Sequence, residues 1–428
     1  MRLGGRLAGA IEVLGDIETR RRPVADCLKD WGLAHRFAGS GDRAAIGNIV
    51  YDALRMRASH AYMMDEDSPT ALAYAVLLRQ WGYSPESLAS ALEGDTYAPT
   101  PLTESQTAAF LARDLDAAPM HVQGDIPDWV QASFEAAFGD NWLLEAKALA
   151  LRPSLDLRVN TLKAKREKVL KALDRSGAKP AAISPLGLRI EAGDGPSRLP
   201  NVTAEVAFQK GWFEVQDEGS QLVSALVEPS DNDQVLDFCA GGGGKTLAMA
   251  AAMHNKGQVH AFDSDRKRLA PIIERLKRAG THNVQVHDNI TALKSLLGHF
   301  GKVLVDAPCT GTGTWRRRPD TKWRLTDRSL QERVEQQREA LNEAATYVRP
   351  GGELVYVTCS VLPEENDRQI DGFLESHPDF KPVAMMERWS VVVGDMVVKP
   401  VSVNGTSLTL SPATTGTDGF FFAKLKRA

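Results

Sequence analysis

Two cysteines, Cys309 and Cys359, each follow a short apolar run that is typical of a buried strand, at 302–305 and 353–356. In open α/β sheets, ligands and catalytic groups collect beyond the carboxyl ends of the strands. Two thiols delivered there by different strands can converge on one substrate. We therefore expect a reaction in which one thiol attacks while the other manages a proton.

Methylation of a pyrimidine at carbon 5 is a reaction that suits such a pair. Addition of a thiolate to carbon 6 makes carbon 5 nucleophilic enough to take a methyl group from a sulfonium. The carbon-5 proton must then leave so that the thiol can be eliminated, and a base or second thiol assists this step. Asp306, three residues before Cys309, is a candidate for the acid that stabilises charge developing in the adduct. The residues alone leave open which cysteine attacks.

A glycine-rich loop follows the apolar run 234–238, and three nucleotide-type ligands compete for it. Glycines let the backbone turn tightly and approach a ligand at the start of a helix. A P-loop would need a glycine where Cys239 stands. The dinucleotide fingerprint would run Gly241, Gly243, Thr246, and it fails at its last position. The third ligand is S-adenosylmethionine.

Acidic residues favour S-adenosylmethionine over the other two ligands, because Asp237, Asp263 and Asp288 follow three successive strands. Asp263 is expected to hold the ribose hydroxyls and Asp288 the adenine amino group, and three acids would repel nucleotide phosphates. The alternative is a tight turn with capping acids. The predicted cofactor-binding residues are Cys239, Ala240, Gly241, Gly242, Gly243, Gly244, Lys245, Asp263, Arg268, Asp288 and Asp306.

Composition limits the class of protein. The chain has 428 residues, a net charge of −4 and four cysteines without a CxxC pair. Such a length predicts more than one domain. We expect no disulfide framework, no zinc or other metal site, no membrane span, no signal peptide and a cytoplasmic location.

Local basic clusters are candidate nucleic-acid contacts, since the chain is not basic overall. The densest one interleaves cations, which can hold phosphates, with tryptophans, which can stack on bases. A solvated charged face is the alternative for the two smaller clusters. The clusters are Arg20–Arg22; Lys163, Lys165, Arg166 and Lys168; and Arg316–Arg318 with Lys322, Arg324, Trp315 and Trp323.

The apolar spacing predicts three domains. Residues 1–125 show helical periodicity. Residues 126–225 predict a small α+β module, with strands near 154–160, 186–190 and 212–215. Residues 226–428 alternate strands with helices, which predicts a doubly wound, mostly parallel sheet. Its expected strands are 234–238, 258–262, 284–286, 303–305 and 353–357, followed by closing strands at 407–410 and 420–425.

The motifs at 306–313, 356–360 and 363–366 resemble the two signature motifs of the Sun/RsmB-type RNA (cytosine-5) methyltransferases. The resemblance covers about 126–428 and also rests on the segments 158–163, 215–222 and 416–421. The N-terminal helices, with 42–51, are similar to a NusB-like domain. The resemblance implies an all-α NusB-like RNA-binding domain, a small RNA-binding module and a Rossmann-like class I methyltransferase domain.

This resemblance assigns roles to the site residues. It implies that Cys359 is the nucleophile, that Cys309 assists product release, and that Lys245 and Asp306 organise the target base and the methyl donor. The family loop commonly reads Ala-Pro where this chain has Gly241-Gly242. Since the contacting groups there are mostly backbone, we expect binding to be kept.

The sequence therefore predicts an S-adenosylmethionine-dependent RNA cytosine-5 methyltransferase. The resemblance implies 16S ribosomal RNA as the substrate, possibly within a small-subunit particle or precursor, and we expect a monomer. The alternatives are the same reaction on transfer RNA, or a non-catalytic RNA-binding ribosome-assembly factor. The intact pair Cys309 and Cys359 favours an enzyme.

Overall fold

The computed structural model describes residues 1–394 and 398–428, and these divide into two compact units. Unit 1 comprises Met1–Pro153, Ala192–Leu199 and Thr314–Leu325. Unit 2 comprises Ser154–Glu191, Pro200–Gly313 and Thr326–Ala428. The predicted domain boundaries at 125 and 225 stay a prediction.

Unit 1 is helical. Apolar residues that recur every three or four positions bury one face of each long helix, so that Leu7, Ile46 and Leu77 lie in one core. Its helices are α1 (Leu3–Arg20), α2 (Val24–Ala34), α3 (Ser40–Arg55), α4 (Arg57–Met64), α5 (Pro69–Arg79), α6 (Pro85–Leu92), α7 (Glu104–Ala112), α8 (Met120–Gln123), α9 (Gln131–Phe138), α10 (Trp142–Leu149) and α17 (Pro319–Arg324).

Three residues of the third basic cluster, Trp315, Arg316 and Lys322, are buried in unit 1. Two of them, Trp315 and Lys322, have no exposed surface with which to contact RNA. Trp315 is fully buried and its ring lies 5.8 Å from that of Phe134. The Lys322 ammonium donates to the carbonyl oxygens of Arg55 and Asp125, at 2.8 and 2.6 Å. Burial lowers the pKa of Lys322 to about 8, although the Asp125 carboxylate opposes this shift. The prediction of an RNA contact is therefore wrong for Trp315 and Lys322.

Unit 2 contains a small antiparallel sheet close to the predicted strands. Its order is β2-β3-β1-β4, and Leu157 on the central strand pairs with Leu188 and Val215. The strands are β1 (Leu155–Val159), β2 (Lys179–Pro180), β3 (Gly187–Ile190) and β4 (Phe213–Val215), with helices α11 (Arg166–Ala172) and α12 (Val206–Gln209).

The large sheet of unit 2 has eight strands in the order β10-β12-β9-β8-β5-β6-β7, with β11 paired to β12. Strands β5 to β9 pair in parallel, and β12 runs antiparallel to β9, β10 and β11. The strands are β5 (Gln234–Asp237), β6 (Gln258–Phe262), β7 (Val284–His287), β8 (Phe300–Asp306), β9 (Val348–Thr358), β10 (Phe380–Pro382), β11 (Ser407–Leu410) and β12 (Phe420–Arg427).

Helices connect the parallel strands of this sheet, and the central strands bury both of their faces. Such strands form continuous apolar runs, as Val303-Leu304-Val305 does on β8. The predicted Rossmann-like fold is thereby confirmed. The helices are α13 (Glu218–Ala225), α14 (Gly244–Ala252), α15 (Arg266–Leu269), α16 (Ile272–Ala279), α18 (Asp327–Ala345), α19 (Asp367–Ser376), α20 (Met385–Val393) and α21 (Pro412–Thr415).

Within residues 1–394 and 398–428, no helix has the length and apolar character needed to cross a membrane. The same residues contain no group of three or more His, Cys, Asp or Glu side chains arranged to hold a metal ion.

Replacement of Lys322 by methionine should destabilise the protein strongly. The Lys322→Met variant removes one of the two cations near the buried Asp125 carboxylate, the other being Arg79, and leaves two carbonyl oxygens without this donor, which costs about 3 kcal/mol. Urea unfolding of the full chain measures this loss. The exposed Lys29→Met variant is the control, and equal unfolding midpoints in the two variants would contradict the burial of Lys322.

Candidate active site

Parallel pairing of β8 and β9 places the two cysteine turns side by side. Asp306 is in register with Val357, so both turns leave the same edge of the sheet at the same level. The Sγ atoms of Cys309 and Cys359 lie 3.3 Å apart and share a hydrogen bond. The structure thus brings together the two thiols that the sequence places 50 residues apart.

Glu365 ties the Cys309 turn to the segment that follows Cys359. Its carboxylate accepts hydrogen bonds from the backbone N–H of Thr310 at 2.8 Å and from the Thr310 hydroxyl. It also accepts from Nε2 of Gln337 at 2.9 Å, and that same amide reaches the carbonyl of Pro308. Because Glu365 is buried, these donors compensate for its loss of hydration.

A second set of hydrogen bonds fixes the Cys359 turn. Asn366 accepts from the hydroxyl of Thr358 at 2.6 Å and donates to the carbonyl of Ser360 at 3.0 Å. The backbone N–H of Gly313 donates to the carbonyl of Cys359 itself, at 3.0 Å. The two turns are therefore joined by backbone and side chains, which limits how far the thiols can separate.

The environment of Cys309 favours its neutral thiol. The hydrogen bond with Cys359 raises the pKa of Cys309 well above its ordinary value, and burial and the nearby Glu365 carboxylate act in the same direction. Cys309 is therefore a thiol at neutral pH, able to donate its proton to a neighbouring sulfur.

Lys245 and Asp306 form an ion pair next to the thiols. The ammonium of Lys245 lies 2.6 Å from Oδ2 of Asp306. Burial disfavours the lysine's charge, but the Asp306 carboxylate more than compensates and raises the pKa of Lys245. Lys245 is almost entirely buried, whereas about a third of the Asp306 side chain is exposed and can reach a substrate.

The glycine loop turns sharply between β5 and α14. Gly241 and Gly243 have φ values of 50° and 81°, a region that other residues rarely adopt. A Cβ atom on Gly243 would lie 2.5 Å from the Ile272 side chain, so there is no space for one. Oδ2 of Asp263 accepts from the N–H of Gly241 at 2.8 Å. This bond sets the loop against the end of β6.

Asp237, the last residue of β5, is hydrogen-bonded to the helix that follows the glycine loop. Its Oδ2 accepts from the hydroxyl of Thr246, at 2.6 Å, while Oδ1 has no hydrogen-bond partner among the residues that the structure describes. Burial raises the pKa of Asp237 to about 7, and the nearby Asp306 adds to this shift although the Thr246 hydrogen bond opposes it.

A cavity of about 870 Å³ lies beside the loop and fits S-adenosylmethionine. Phe262 and Ile290 give it apolar surface, which suits an adenine ring. The buried carboxylate of Asp263 accepts from two backbone N–H groups and keeps lone pairs for ribose hydroxyls. Asp288, largely exposed at the rim of the cavity, pairs through Oδ2 with Nε of Arg266 at 3.4 Å, and its other oxygen, Oδ1, can accept from an amino group.

The predicted site residues thus divide between two places. Cys309, Cys359, Asp306 and Lys245 form one cluster. Of the predicted cofactor residues, Cys239, Asp263, Arg268 and Asp288 line the cavity, and the four glycines 241–244 form the loop beside them.

Glu365 and Gln337 contact the cysteine turns but were not predicted from the sequence as site residues. Glu365 lies within the segment 363–366, which signalled family resemblance but no role. Gln337 lies on α18, a helix rich in charged residues, and nothing in the sequence marks it as buried. Only the packing of α18 against the Cys309 turn reveals its contacts.

A doubly wound sheet with a glycine loop after its first strand, and an acid closing the next, is shared by Rossmann-like dinucleotide-binding domains and S-adenosylmethionine-dependent methyltransferases. The family models assign this chain to the methyltransferases. The model of the family described as 16S rRNA methyltransferase RsmB/F matches residues 224–426, and the ferredoxin-like domain of RsmF/B-like methyltransferases matches residues 126–194. The chain belongs to this RsmB/F family.

Curated relatives agree with the family models. The chain is 33% identical over 315 residues to the probable ribosomal RNA small subunit methyltransferase B of Synechocystis sp., covering 72% of this chain and 68% of that protein. It is 35% identical over 303 residues to ribosomal RNA small subunit methyltransferase B of Pectobacterium atrosepticum, covering 70% and 66%. The alignments span about two thirds of these relatives' own length.

A solved structure shows the same fold. NSun6 from Pyrococcus horikoshii, determined with SFG, an analogue of S-adenosylmethionine, has a TM-score of 0.61 and 24% identity. The match covers 70% of this chain and 98% of that one. At this identity the likeness establishes the fold and not the substrate.

Replacement of Glu365 by glutamine should lower methyl transfer without unfolding the protein. The Glu365→Gln variant places an amide N–H₂ among the donors of Thr310 and Gln337 and frees the Cys309 turn. A displacement of about 1 Å at reacting groups lowers turnover by about 100-fold. Transfer of a labelled methyl group to RNA measures this. The exposed Glu332→Gln is the control, and equal turnover in both variants would contradict the role of Glu365.

Proposed function

We propose that the chain transfers a methyl group from S-adenosylmethionine to carbon 5 of a cytosine in 16S ribosomal RNA. The observation that carries this proposal is the 3.3 Å contact between the thiols of Cys309 and Cys359, next to the Lys245–Asp306 ion pair. Pyrimidine methylation at carbon 5 needs a sulfur nucleophile, a group that assists its elimination and a polar partner for the ring.

Cys359 is the proposed nucleophile, on the basis of the family motif around it. Its thiolate adds to carbon 6 of the cytosine, and the Asp306 carboxylate accepts a hydrogen bond from the exocyclic amine of the ring. The Lys245 ammonium holds Asp306 by its ion pair and adds positive charge to the site. Bound S-adenosylmethionine supplies an electrophilic methyl group to carbon 5.

Cys309 is the proposed group for product release. After methylation, the carbon-5 proton leaves to solvent, the bond between carbon 6 and the Cys359 sulfur breaks, and the aromatic ring re-forms. The Cys309 thiol, 3.3 Å from that sulfur, donates its hydrogen bond to the departing thiolate and stabilises it. The raised pKa of Cys309 supports this role, because it keeps the proton available.

The small sheet of unit 2 offers a surface suited to RNA. The ammonium of Lys168 lies 4.0 Å from the ring centre of Trp212, and that of Lys210 lies 5.7 Å from it. Both lysines are exposed, together with Lys163 and Lys165 of the second basic cluster. Cations around a half-buried aromatic ring can hold phosphates while the ring stacks on a base.

The names of the relatives support ribosomal RNA of the small subunit as the substrate. Both are named as methyltransferases of that RNA, which favours it over transfer RNA. The substrate is free 16S RNA, a precursor or a small-subunit particle, and the proposed enzyme acts as a monomer in the cytoplasm.

The proposed function is tested by incubating the purified protein with S-adenosylmethionine carrying a labelled methyl group. Separate reactions receive 16S RNA, small-subunit particles and transfer RNA, and nucleosides are identified by mass spectrometry. We expect 5-methylcytidine in the ribosomal substrates. Label in another nucleoside would contradict cytosine-5 transfer, and 5-methylcytidine in transfer RNA alone would contradict the ribosomal substrate.

The two cysteines should give opposite results when each is replaced by alanine. Cys359→Ala removes the attacking sulfur, so neither product nor a covalent protein–RNA adduct should form. Cys309→Ala keeps attack but slows release, so an adduct stable on denaturing gels should accumulate. Cys27→Ala, at a buried cysteine of unit 1, serves as the control. An adduct with Cys359→Ala and none with Cys309→Ala would exchange the two roles.

A further inference from the structure

The glycine loop is held by side chains from outside it. Four successive glycines have large conformational freedom, and ordering them costs more free energy than ordering other residues. Asp263 accepts from the N–H of Gly241, as described above. On the opposite side, Nη1 of Arg275 donates to the carbonyl oxygen of Gly242 at 2.6 Å. Arg275 is thus the cation that fixes the middle of the loop.

Arg275 is itself fixed by a buried acid. Its Nε and Nη2 atoms donate to Oε2 of Glu214, at 3.2 and 3.0 Å. Glu214 lies on β4 of the small sheet and is only 3% exposed. Its other oxygen, Oε1, pairs with Nη2 of Arg278 at 2.5 Å. A continuous series of hydrogen bonds therefore runs from the small sheet through Arg275 to the glycine loop, all within unit 2.

We propose that Arg275 is a positioning residue for the methyl donor. Glu214 orients the Arg275 guanidinium toward the Gly242 carbonyl, so that the loop is ordered before the donor binds. This inference rests on the proposed assignment of the glycine loop to S-adenosylmethionine. It gives the small sheet a second task besides RNA contact, since β4 supplies the acid that sets the loop.

The guanidinium is suited to this task by its shape. One edge, formed by Nε and Nη2, faces the carboxylate, and the remaining Nη1 faces the carbonyl, so that a single planar group spans both partners. A lysine ammonium at the same place carries the charge but cannot present this fixed geometry. A loop that is already ordered loses less entropy when the ligand binds, which strengthens binding without a new contact to the ligand.

Arg278 provides a matched control. It shares Glu214 with Arg275, and its guanidinium stacks on the Phe208 ring at 4.1 Å, but no hydrogen bond of the described residues joins its side chain to the loop. If the cluster of charges only braced the small sheet, loss of either arginine would have the same effect on donor binding.

The test measures the affinity for S-adenosylmethionine by calorimetry, on the full chain and without RNA. Arg275→Met should weaken binding by about tenfold or more, as expected for loss of a charge-assisted hydrogen bond that orders a loop. Arg275→Lys should recover part of this loss, and the affinity of Arg278→Met should stay within about twofold of the wild type.

In the methyl-transfer assay with RNA, the turnover number of Arg275→Met at saturating donor should change far less than its KM for the donor. Thermal unfolding of each variant identifies loss through misfolding.

Glu214→Gln adds a test of the indirect route. Although Glu214 does not touch the loop, its loss should also weaken donor binding. The double variant, which combines Glu214→Gln with Arg275→Met, should bind the donor no more weakly than Arg275→Met alone. Equal losses in Arg275→Met and Arg278→Met, or additive losses in the double variant, would overturn the inference.

Failure of the proposed function would give a different result. Wild-type protein that binds S-adenosylmethionine and makes no 5-methylcytidine would contradict the function and leave this inference standing. Wild-type protein that does not bind the donor at all would overturn both the site assignment and the inference.

Discussion

The parallel pairing of β8 and β9 is the constraint on which the site depends. Parallel neighbours must be joined by a crossover, so their carboxyl ends lie at one edge although much of the chain separates them. In this protein the crossover contains α17 and α18, and α18 also carries Gln337, which donates a hydrogen bond to the Cys309 turn. A shift of one residue in the register would move Asp306 and Cys309 away from Cys359. The local sequence therefore determines each turn, but the pairing of β8 with β9 determines whether the two turns lie close enough for their side chains to meet.

The polar groups at this edge are tolerated in a buried position because each has a partner. Lys245 is paired with Asp306, Glu365 with Thr310 and Gln337, and Asp263 with backbone N–H groups of the loops. An unpaired charge in such a place would be neutralised or would destabilise the fold. The same pairings fix directions and distances. Stability and catalytic geometry are in this respect supplied by the same hydrogen bonds.

The sequence predicted the parts of the site that depend on local pattern. Apolar runs followed by polar turns located Cys309 and Cys359, and the spacing of acids after strands located Asp263 and Asp288. It could not reveal Gln337, because burial of a glutamine on a charged helix is decided by what packs against it. The prediction that Trp315 and Lys322 contact RNA was wrong for the same reason. The sequence of a basic and aromatic cluster is the same whether its side chains face solvent or pack inside the protein. Trp315 and Lys322 pack against residues far away along the chain.

The route of the chain has a consequence for the order of folding during synthesis. The first segment of unit 1, Met1–Pro153, is made before unit 2, yet its last segment, Thr314–Leu325, is made only after most of unit 2. Domains generally fold as they emerge, from the N-terminus onward. Here the N-terminal helices bury a core of their own, between Leu7 and Leu92, but Trp315 and Lys322 are made only after strands β1 to β8. Until then the ring of Phe134 and the carbonyl of Asp125 lack the partners that cover them. Unit 1 is therefore completed late in synthesis, and a fragment ending at Pro153 lacks the buried side chains of Trp315 and Lys322.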